Sequence, residues 1–150
     1  MLTFNTKRLI AQTNMIIDEG ELCFHKKNCG TDLLSLQPNN AQNGAIVFYL
    51  QNDPNMEVCK IAVEFKRKPY ELIFETINAF RNQGYMSEAL AACIEWLFTC
   101  TKCQEIYLLI NGNPVSKYIA TKIGFVPIQS DDHGDWFIIK KCFRTTNSPD

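Results

Sequence analysis

The sequence predicts an α/β (α+β) fold in which helices flank a mixed, mostly antiparallel sheet with one central parallel pair. Three β-type runs follow one another in the middle of the chain, joined by connections short enough for hairpins. A helical run then leads to a short buried strand, and a helical crossover of this kind places the new strand parallel to its neighbour. A second helix and two final strands complete the predicted order: βα, three antiparallel strands, α, β, α, ββ.

The chain opens with a predicted strand over residues 2–12. Residues 14–27 form a predicted helix, because acidic side chains come early in this segment and Lys26 and Lys27 come late, as the helix dipole favours. Gly20 is an unfavourable residue within such a helix.

The middle of the chain is a predicted antiparallel meander followed by a helix. The three strands cover residues 45–50, 57–65 and 70–78. The apolar period then changes from two to that of a helix between residue 84 and about residue 98. Leu90, Ile94 and Leu97 lie on one side of this helix, and Met86 adds to the same broad apolar stripe.

The last third of the chain begins with residues 105–110, a predicted buried strand rich in Ile, Leu and Tyr. Asn113 and Pro114 mark the next helix start, because Asn accepts hydrogen bonds from unpaired amides and proline suits the first helical position. Gly124 ends this helix. Its predicted apolar face consists of Val115, Tyr118, Ile119 and Ile123. The final strands cover residues 126–129 and 136–143.

Length and composition favour one globular domain over residues 1–150. Hydrophobic residues make up 46% and charged residues 21%, near globular averages, so neither a disordered nor a fibrous class is favoured. A net charge of -1 gives no general reason for binding nucleic acid or an anionic membrane. No apolar run is long enough to span a bilayer and the N-terminus lacks a signal-peptide pattern, so we expect a cytoplasmic protein.

Seven cysteines, an odd number, favour reduced thiols over a disulfide scaffold. Cys100 and Cys103 form a CxxC pair, but it follows a predicted helix, whereas a redox pair prefers a helix N-terminus. Zinc needs about four ligands, and His25 and His133 are single and distant. We therefore expect no metal site.

The turn FRNQGYMSEAL, residues 80–90, joins a predicted strand to a predicted helix. Unpaired amides at the positive end of a helix dipole bind anions. Gly84 allows a phosphate to approach the backbone closely, and no acidic side chain lies between Phe80 and Ser87. The turn therefore indicates an anion site, and the alternative is a plain turn whose glycine supplies a positive φ.

Several ordered segments resemble the Gcn5-related N-acetyltransferase (GNAT) superfamily. RNQGYM at residues 81–86 is similar to its acyl-CoA-binding pattern Gln/Arg-x-x-Gly-x-Gly/Ala. SEA at 87–89 and TKRL at 6–9 are similar to the Thr-Glu-Ala and Thr-x-Arg-Leu of the RimJ/RimL-like ribosomal-protein N-terminal acetyltransferase branch. NPVS at 113–116 and KIGF at 122–125 are similar to its Asn-x-x-Ser and Glu-Lys-x-Gly-Phe.

The resemblance implies a GNAT-type acyl-CoA N-acyltransferase fold, with the sheet splayed at its central parallel pair. It also implies an enzyme that transfers acetyl from acetyl-CoA, its co-substrate, directly to a primary amine, which is a protein N-terminus or a small molecule. The expected partners are acetyl-CoA and an amine acceptor, with no nucleic acid and no membrane, in a monomer or homodimer. The alternative is an acyl-CoA-binding module with weak or no catalytic activity.

The resemblance assigns the parts of acetyl-CoA to three places in the chain. Amides of residues 82–87 hold the pyrophosphate, strand backbone at 76–78 pairs with the pantetheine, and Asn113 and Ser116 lie near the thioester. The implied binding residues are Thr76, Ile77, Asn78, Arg81, Asn82, Gln83, Gly84, Tyr85, Met86, Ser87, Asn113 and Ser116. Met86 replaces a small residue of the pattern, and its place in the apolar stripe predicts that its side chain points into the core.

The resemblance also suggests two catalytic residues. Glu71 occupies the position of the general-base glutamate of some family members. Glu75 lies four residues on and faces the same side of a regular strand; either carboxylate could instead be a plain surface group, and ordered water could carry the proton. Ala120 stands where many relatives have a tyrosine that acts as the general acid. Ser116 is therefore the candidate for contacting the departing thiolate, and the alternative is that its hydroxyl only satisfies a backbone group. Tyr118 is predicted to pack in the core.

Overall fold

The computed structural model describes residues 2–24 and 43–141, which form ten strands, two α-helices and one short 3₁₀ turn. The strands are β1 Leu2–Asn5, β2 Leu9–Thr13, β3 Met15–Asp18, β4 Glu21–Phe24, β5 Asn43–Leu50, β6 Glu57–Glu64, β7 Tyr70–Thr76, β8 Glu105–Ile110, β9 Val126–Asp131 and β10 Gly134–Lys140. The helices are α1 Tyr85–Cys100 and α2 Pro114–Ile123, and the 3₁₀ turn is Asn78–Phe80. Neither of these helices has the length and apolar character that crossing a membrane requires.

Eight strands form one mixed sheet in the order β1-β2-β5-β6-β7-β8-β10-β9. Its neighbours are antiparallel except for β7 and β8, which α1 connects as a crossover. The predicted fold class, the antiparallel meander of β5 to β7 and the central parallel pair are confirmed.

The parallel pair is short, and this opens the sheet. Its register runs only from Tyr70 opposite Ile106 to Leu72 opposite Leu108. β7 continues to Thr76, and within the described residues no strand pairs with residues 73–76 on the β8 side. The sheet is therefore splayed at this point, and the end of β7 offers unpaired backbone groups to whatever occupies the gap.

The predicted helix over residues 14–27 is wrong as far as the structure describes it. Residues 15–24 form instead the β3–β4 hairpin, with its turn at Glu19 and Gly20. Both turn residues have positive φ, 53° and 81°, which suits the right-handed twist of a two-residue hairpin and cannot continue a right-handed helix. The rest of the predicted helix and His25 lie outside the described residues.

Most predicted strands differ from the described ones by one or two residues at an end, and one of them is two strands. The predicted strand 2–12 is two antiparallel strands, β1 and β2, because the chain reverses at residues 6–8. The final strand, β10, ends at Lys140, and residues 142–143 of its prediction lie outside the described residues.

The helix α1 covers one face of the sheet and confirms the predicted apolar stripe. Its buried side chains are Met86, Ala89, Leu90, Cys93, Ile94 and Leu97. Side chains that alternate along the strands, among them Leu9, Phe48 and Leu72, belong to the same core. Phe4 stacks on Trp96 with ring centroids 5.3 Å apart, so β1 packs against α1 through this aromatic pair.

The helix α2 has the predicted ends, and half of its predicted apolar face, Ile119 and Ile123, packs against the core. Asn113 is its N-cap, Pro114 is its first residue, and Gly124 ends it with φ 126°. Val115 and Tyr118, predicted for the core, are 56% and 66% exposed. The prediction for Tyr118 is therefore wrong, because this side of α2 faces the gap in the sheet and not the core.

Candidate functional site

A cavity of about 590 Å³ lies at the gap between β7 and β8. It is bounded by the end of β7, the turn before α1 and the beginning of α2. The structure places these predicted binding residues in its lining: Thr76, Arg81, Asn82, Gly84, Tyr85, Met86, Ser87, Asn113 and Ser116. The lining also includes Glu75, the alternative to Glu71 as the base. Lining residues that the sequence did not suggest as site residues are Phe74, Phe80, Val115, Tyr118, Ile119 and Lys122.

The turn before α1 presents unpaired amides to this cavity. Asn82 and Gly84 have positive φ, 63° and 82°, so the backbone turns sharply into the helix. Gly84 is the N-cap and supplies no side chain for capping. The amide of Glu88 makes the first intrahelical bond, to the Gly84 carbonyl at 3.1 Å, so the three amides before it have no partner among the described residues and are available at the positive end of the helix dipole.

The side chains around the cavity carry more positive than negative charge. Arg81 and Lys122 are the basic lining residues, and Glu75 is the acidic one. Arg81 also donates from Nε to the Thr76 carbonyl, at 3.3 Å, which joins the turn to the end of β7. This balance suits a polyanion. The sequence includes Lys122 in the KIGF segment but gives it no binding role, because a lysine on an exposed helix face has no distinctive pattern.

Met86 points away from the unpaired amides. Its side chain is only 5% exposed and belongs to the hydrophobic core with Leu90 and Cys93. The predicted inward orientation is confirmed. The larger residue at this position of the pattern therefore leaves the turn uncovered.

The end of β7 differs from the prediction. The strand stops at Thr76, and the 3₁₀ turn begins at Asn78, where a strand to residue 78 was expected. The amide of Ile77 donates to the Val58 carbonyl at 2.9 Å, and Ile77 does not line the cavity. Gln83 does not line it either, since its side-chain amide donates to the Ala79 carbonyl at 3.2 Å.

Two hydroxyl groups lie at the α2 side of the cavity. The Asn113 Oδ1 atom accepts from the amides of Val115 and Ser116, at 2.9 and 3.2 Å, which fixes the first turn of α2. The Ser116 hydroxyl has no hydrogen-bond partner within residues 2–24 and 43–141. The Tyr118 side chain lines the same cavity, and its ring centroid lies 6.0 Å from Lys122 Nζ.

Glu71 and Glu75 share one face of β7, because the register between β6 and β7 is continuous from residue 71 to residue 76. Glu75 lines the cavity and Glu71 does not. Burial raises the pKa of Glu71, and the carboxylate of Glu64 on the facing strand raises it further, against a smaller opposing effect of Arg67. Thus Glu75 is the carboxylate at the cavity, and Glu71 is the carboxylate whose pKa is raised.

The CxxC cysteines lie away from the cavity. Cys100 is exposed at the end of α1, and Cys103 is buried beside the Leu97 carbonyl, with Sγ at 3.7 Å. Burial raises the pKa of the Cys103 thiol, which disfavours the reactive thiolate. Within the described residues, no three His, Cys, Asp or Glu side chains come together as metal ligands.

Comparison with known families shows to which family the chain belongs. A family model described as an acetyltransferase (GNAT) domain matches residues 7–126, most of the sequence. The chain belongs to the GNAT acetyltransferase family. The matched range includes the turn before α1, the gap in the sheet and all of α2.

Solved structures share the GNAT fold at low sequence identity. An acetyltransferase from Agrobacterium tumefaciens is 14% identical with a TM-score of 0.68, covering 94% of this chain and 95% of that one. A ribosomal-protein-S5-alanine acetyltransferase from Vibrio fischeri is 13% identical with a TM-score of 0.64, covering 94% and 96%. A spermidine N-acetyltransferase variant from Vibrio cholerae is 13% identical with a TM-score of 0.63, covering 79% and 77%. Comparison with curated proteins gives no match to this sequence.

The chemistry of the cavity is compatible with the co-substrate of the GNAT family. The family uses acetyl-CoA as its co-substrate. A splayed sheet, a glycine turn with free amides and a net positive lining are what a long, anionic thioester requires. The solved structures support the fold alone, since none of the three exceeds 14% identity.

Proposed function

We propose that this GNAT domain transfers acetyl from acetyl-CoA directly to a primary amine. The amine nitrogen attacks the thioester carbonyl, the carbon–sulfur bond breaks, the nitrogen loses a proton to a base and the thiolate leaves as CoA. The observation that carries the proposal is the cavity itself, in which the unpaired amides before α1 and the gap between β7 and β8 open into one space. Met86 is packed in the core, which supports an intact site.

Two backbone segments bind the co-substrate in this proposal. The amides from Asn82 to Ser87 hold the pyrophosphate at the positive end of the α1 dipole. The free edge of β7 at residues 73–76 pairs with the pantetheine as an added strand would. Arg81 and Lys122 add positive charge to the same cavity.

The proposed base is Glu71, with Glu75 as the competing carboxylate. A raised pKa makes the carboxylate a stronger base, because its pKa comes nearer to that of the amine from which it takes the proton. This supports Glu71. Its position outside the cavity lining requires a water between Glu71 and the amine, whereas Glu75 needs none. The variants Glu71→Gln and Glu75→Gln separate these two routes, because only replacement of the residue that acts as the base should lower kcat by about tenfold or more.

The proposed acid or thiolate ligand is Ser116, and Tyr118 is the second candidate. Ser116 has a hydroxyl without a partner in the described part of the chain, and both side chains line the cavity. Ser116→Ala and Tyr118→Phe each remove one hydroxyl with little change in shape. The residue that serves the thiolate should lower kcat when changed while leaving KM for acetyl-CoA nearly constant.

The acceptor class is proposed as a protein N-terminus, as in the RimJ/RimL-like branch. The motifs TKRL, SEA and NPVS support this, and one similar structure is a ribosomal-protein-S5-alanine acetyltransferase. A small amine is the competing class, since another similar structure is a spermidine N-acetyltransferase variant.

The deciding experiment incubates the purified chain with acetyl-CoA and a panel of peptide N-termini, polyamines and amino acids. Mass spectrometry identifies which amines gain an acetyl group, and a thiol reagent measures the CoA released. Calorimetry with acetyl-CoA runs in parallel. Absence of both binding and transfer contradicts the proposal; binding without transfer to any amine favours instead an acyl-CoA-binding module with little or no activity, which buried Ala120 in place of the family tyrosine also suggests.

A further inference from the structure

The segment Thr6 to Leu9 contacts the first turn of α1 through one carboxylate, that of Glu88. The Thr6 hydroxyl and the Arg8 amide both donate to Oε2, the latter at 2.7 Å. Arg8 Nε donates to Oε1, also at 2.7 Å. The Thr6 oxygen in turn accepts from the Leu9 amide at 3.0 Å. Residues about eighty positions apart are therefore joined by several charge-assisted hydrogen bonds.

The same Arg8 side chain also contacts the turn that bears the unpaired amides. Nη1 donates to the Gln83 carbonyl at 3.1 Å, and the guanidinium carbon lies 4.1 Å from the centre of the Tyr85 ring. A methyl group on Gly84 would come within 3.4 Å of Nη2. Arg8 is not among the residues that line the cavity. It therefore contacts the turn from outside the cavity lining.

This support matters because it ties the turn to a distant part of the chain, whereas the hydrogen bonds of Arg81 and Gln83 to the Thr76 and Ala79 carbonyls are local. Two residues with positive φ, Asn82 and Gly84, place the amides, and the helix lacks a side-chain cap. A loop that must be ordered when the ligand binds loses affinity, and a loop ordered beforehand retains it.

We infer that Arg8 and Glu88 form a positioning pair that holds the turn before α1 in the arrangement required by the diphosphate of an acyl-CoA. The inference rests on the proposed function, since it needs that ligand. Neither residue contacts the reacting atoms; both act through the backbone amides of the turn.

A positioning role and simple electrostatics predict opposite effects of removing the Glu88 charge on ligand binding. This carboxylate lies in the first turn of α1, close to where the proposed diphosphate binds, so removing its negative charge should strengthen anion binding. A positioning role predicts weaker binding, because Arg8 loses its partner and releases the turn. The sign of the change in the Glu88→Gln variant therefore separates the two explanations.

The test measures dissociation constants for acetyl-CoA and for S-acetylpantetheine, which lacks the diphosphate, by calorimetry. Glu88→Gln and Arg8→Lys should each weaken the binding of acetyl-CoA by about tenfold, which corresponds to the loss of one charge-assisted hydrogen bond. The binding of S-acetylpantetheine should stay unchanged in both variants. Thr6→Val should weaken the binding of acetyl-CoA less than either charged variant does. Thr6→Ser, which keeps the hydroxyl, should have the wild-type affinity. Lys68→Gln, which breaks the exposed ion pair with Glu21, is the matched control and should change neither affinity.

Three results would overturn the inference. They are unchanged or tighter binding of acetyl-CoA by Glu88→Gln, an equal loss for both ligands, and strictly additive effects in the Arg8→Lys/Glu88→Gln double variant. Thermal unfolding confirms that each variant is folded. If Glu88→Gln or Arg8→Lys fails to fold, the comparison of Thr6→Val with Thr6→Ser still tests the inference. Wild-type protein that fails to bind acetyl-CoA would refute the proposed function itself, whereas normal wild-type binding with unaffected variants refutes the positioning pair alone.

Discussion

Gly84 is the residue on which the anion site depends most directly. Its φ of 82° disfavours any side chain, and an added Cβ would lie 3.4 Å from Arg8 Nη2. Gly84→Ala should lower the free energy of unfolding by about 1 kcal/mol and weaken acetyl-CoA binding by about tenfold, because the amides shift. Chemical denaturation and calorimetry measure the two effects.

Gly112→Ala is the matched control for this substitution. Gly112 has a similar φ of 73°, and a Cβ there would meet no atom within 4 Å. It should lose comparable stability and retain its affinity for acetyl-CoA. Equal losses of affinity in the two variants would mean that Gly84 matters only for folding.

The raised pKa of Glu71 leads to a prediction about pH. A base must be ionised, so kcat/KM is high above the pKa of Glu71 and falls as the pH drops through it. The Glu64 carboxylate contributes to the shift, so Glu64→Gln should lower the pKa of Glu71 and move the acid limb of the pH–rate profile to lower pH. Glu57→Gln, at the other end of β6, is the control. An acid limb that stays in place would argue against Glu71.

The residue-scale predictions from sequence were best where backbone chemistry decides the outcome. The glycine turn, the inward Met86 and the Asn113 cap all follow from local rules for positive φ, helical period and capping. Tyr118 was misplaced, because helical spacing shows which residues share a face but not what that face meets. The preference between Glu71 and Glu75 depends on where β8 leaves β7, which no local pattern encodes.

At the scale of elements, α2 depends on its first turn. Asn113 satisfies two of the unpaired amides there, so Asn113→Ala should lower the free energy of unfolding by about 1 kcal/mol. Asn113→Asp keeps an oxygen acceptor and should retain most of that stability. Asn111→Ala, at an exposed position before the cap, serves as the control in urea unfolding. A loss for Asn111→Ala equal to that for Asn113→Ala would contradict the capping role.

The β3–β4 hairpin shows why one predicted element was wrong. Its acidic and basic residues follow the order that a helix dipole favours, and the segment is long enough for a helix. The turn at Glu19 and Gly20 decides against a helix, but a Glu-Gly pair is a weaker turn signal than Asn-Gly. Apart from the predicted strand 2–12, which is two strands, the other elements of the described chain follow hydrophobic period and glycine or proline boundaries, and the sequence predicts them with shifts of a few residues.

At the scale of the whole molecule, Glu88 connects the N-terminal strands to α1. Burial opposes its ionisation, but hydrogen bonds from Thr6 and Arg8 outweigh this and hold its pKa below the ordinary value. A depressed carboxyl pKa stabilises the fold above the pKa of the unfolded chain, and this stability is lost as the pH falls through the folded-state pKa. Glu88→Gln should therefore lower stability at pH 7 and flatten its fall below about pH 5.

Denaturant unfolding at several pH values measures this effect. Glu95→Gln, an exposed carboxyl on the same helix, is the control and should keep the wild-type pH dependence. A Glu88→Gln variant with an unchanged slope would show that the Arg8 contact adds nothing to folding.

The gap beside β7 has a consequence for the motions of the sheet. Amides at residues 73–76 that point away from β6 lack a strand partner in the described chain, so they should exchange with deuterated solvent faster than those of the paired residues 70–72. A pantetheine chain bound along this edge would slow that exchange selectively, which mass spectrometry of peptides can detect. The co-substrate would then act as a missing strand, and the central part of the sheet would become fully ordered only while an acyl group is ready for transfer.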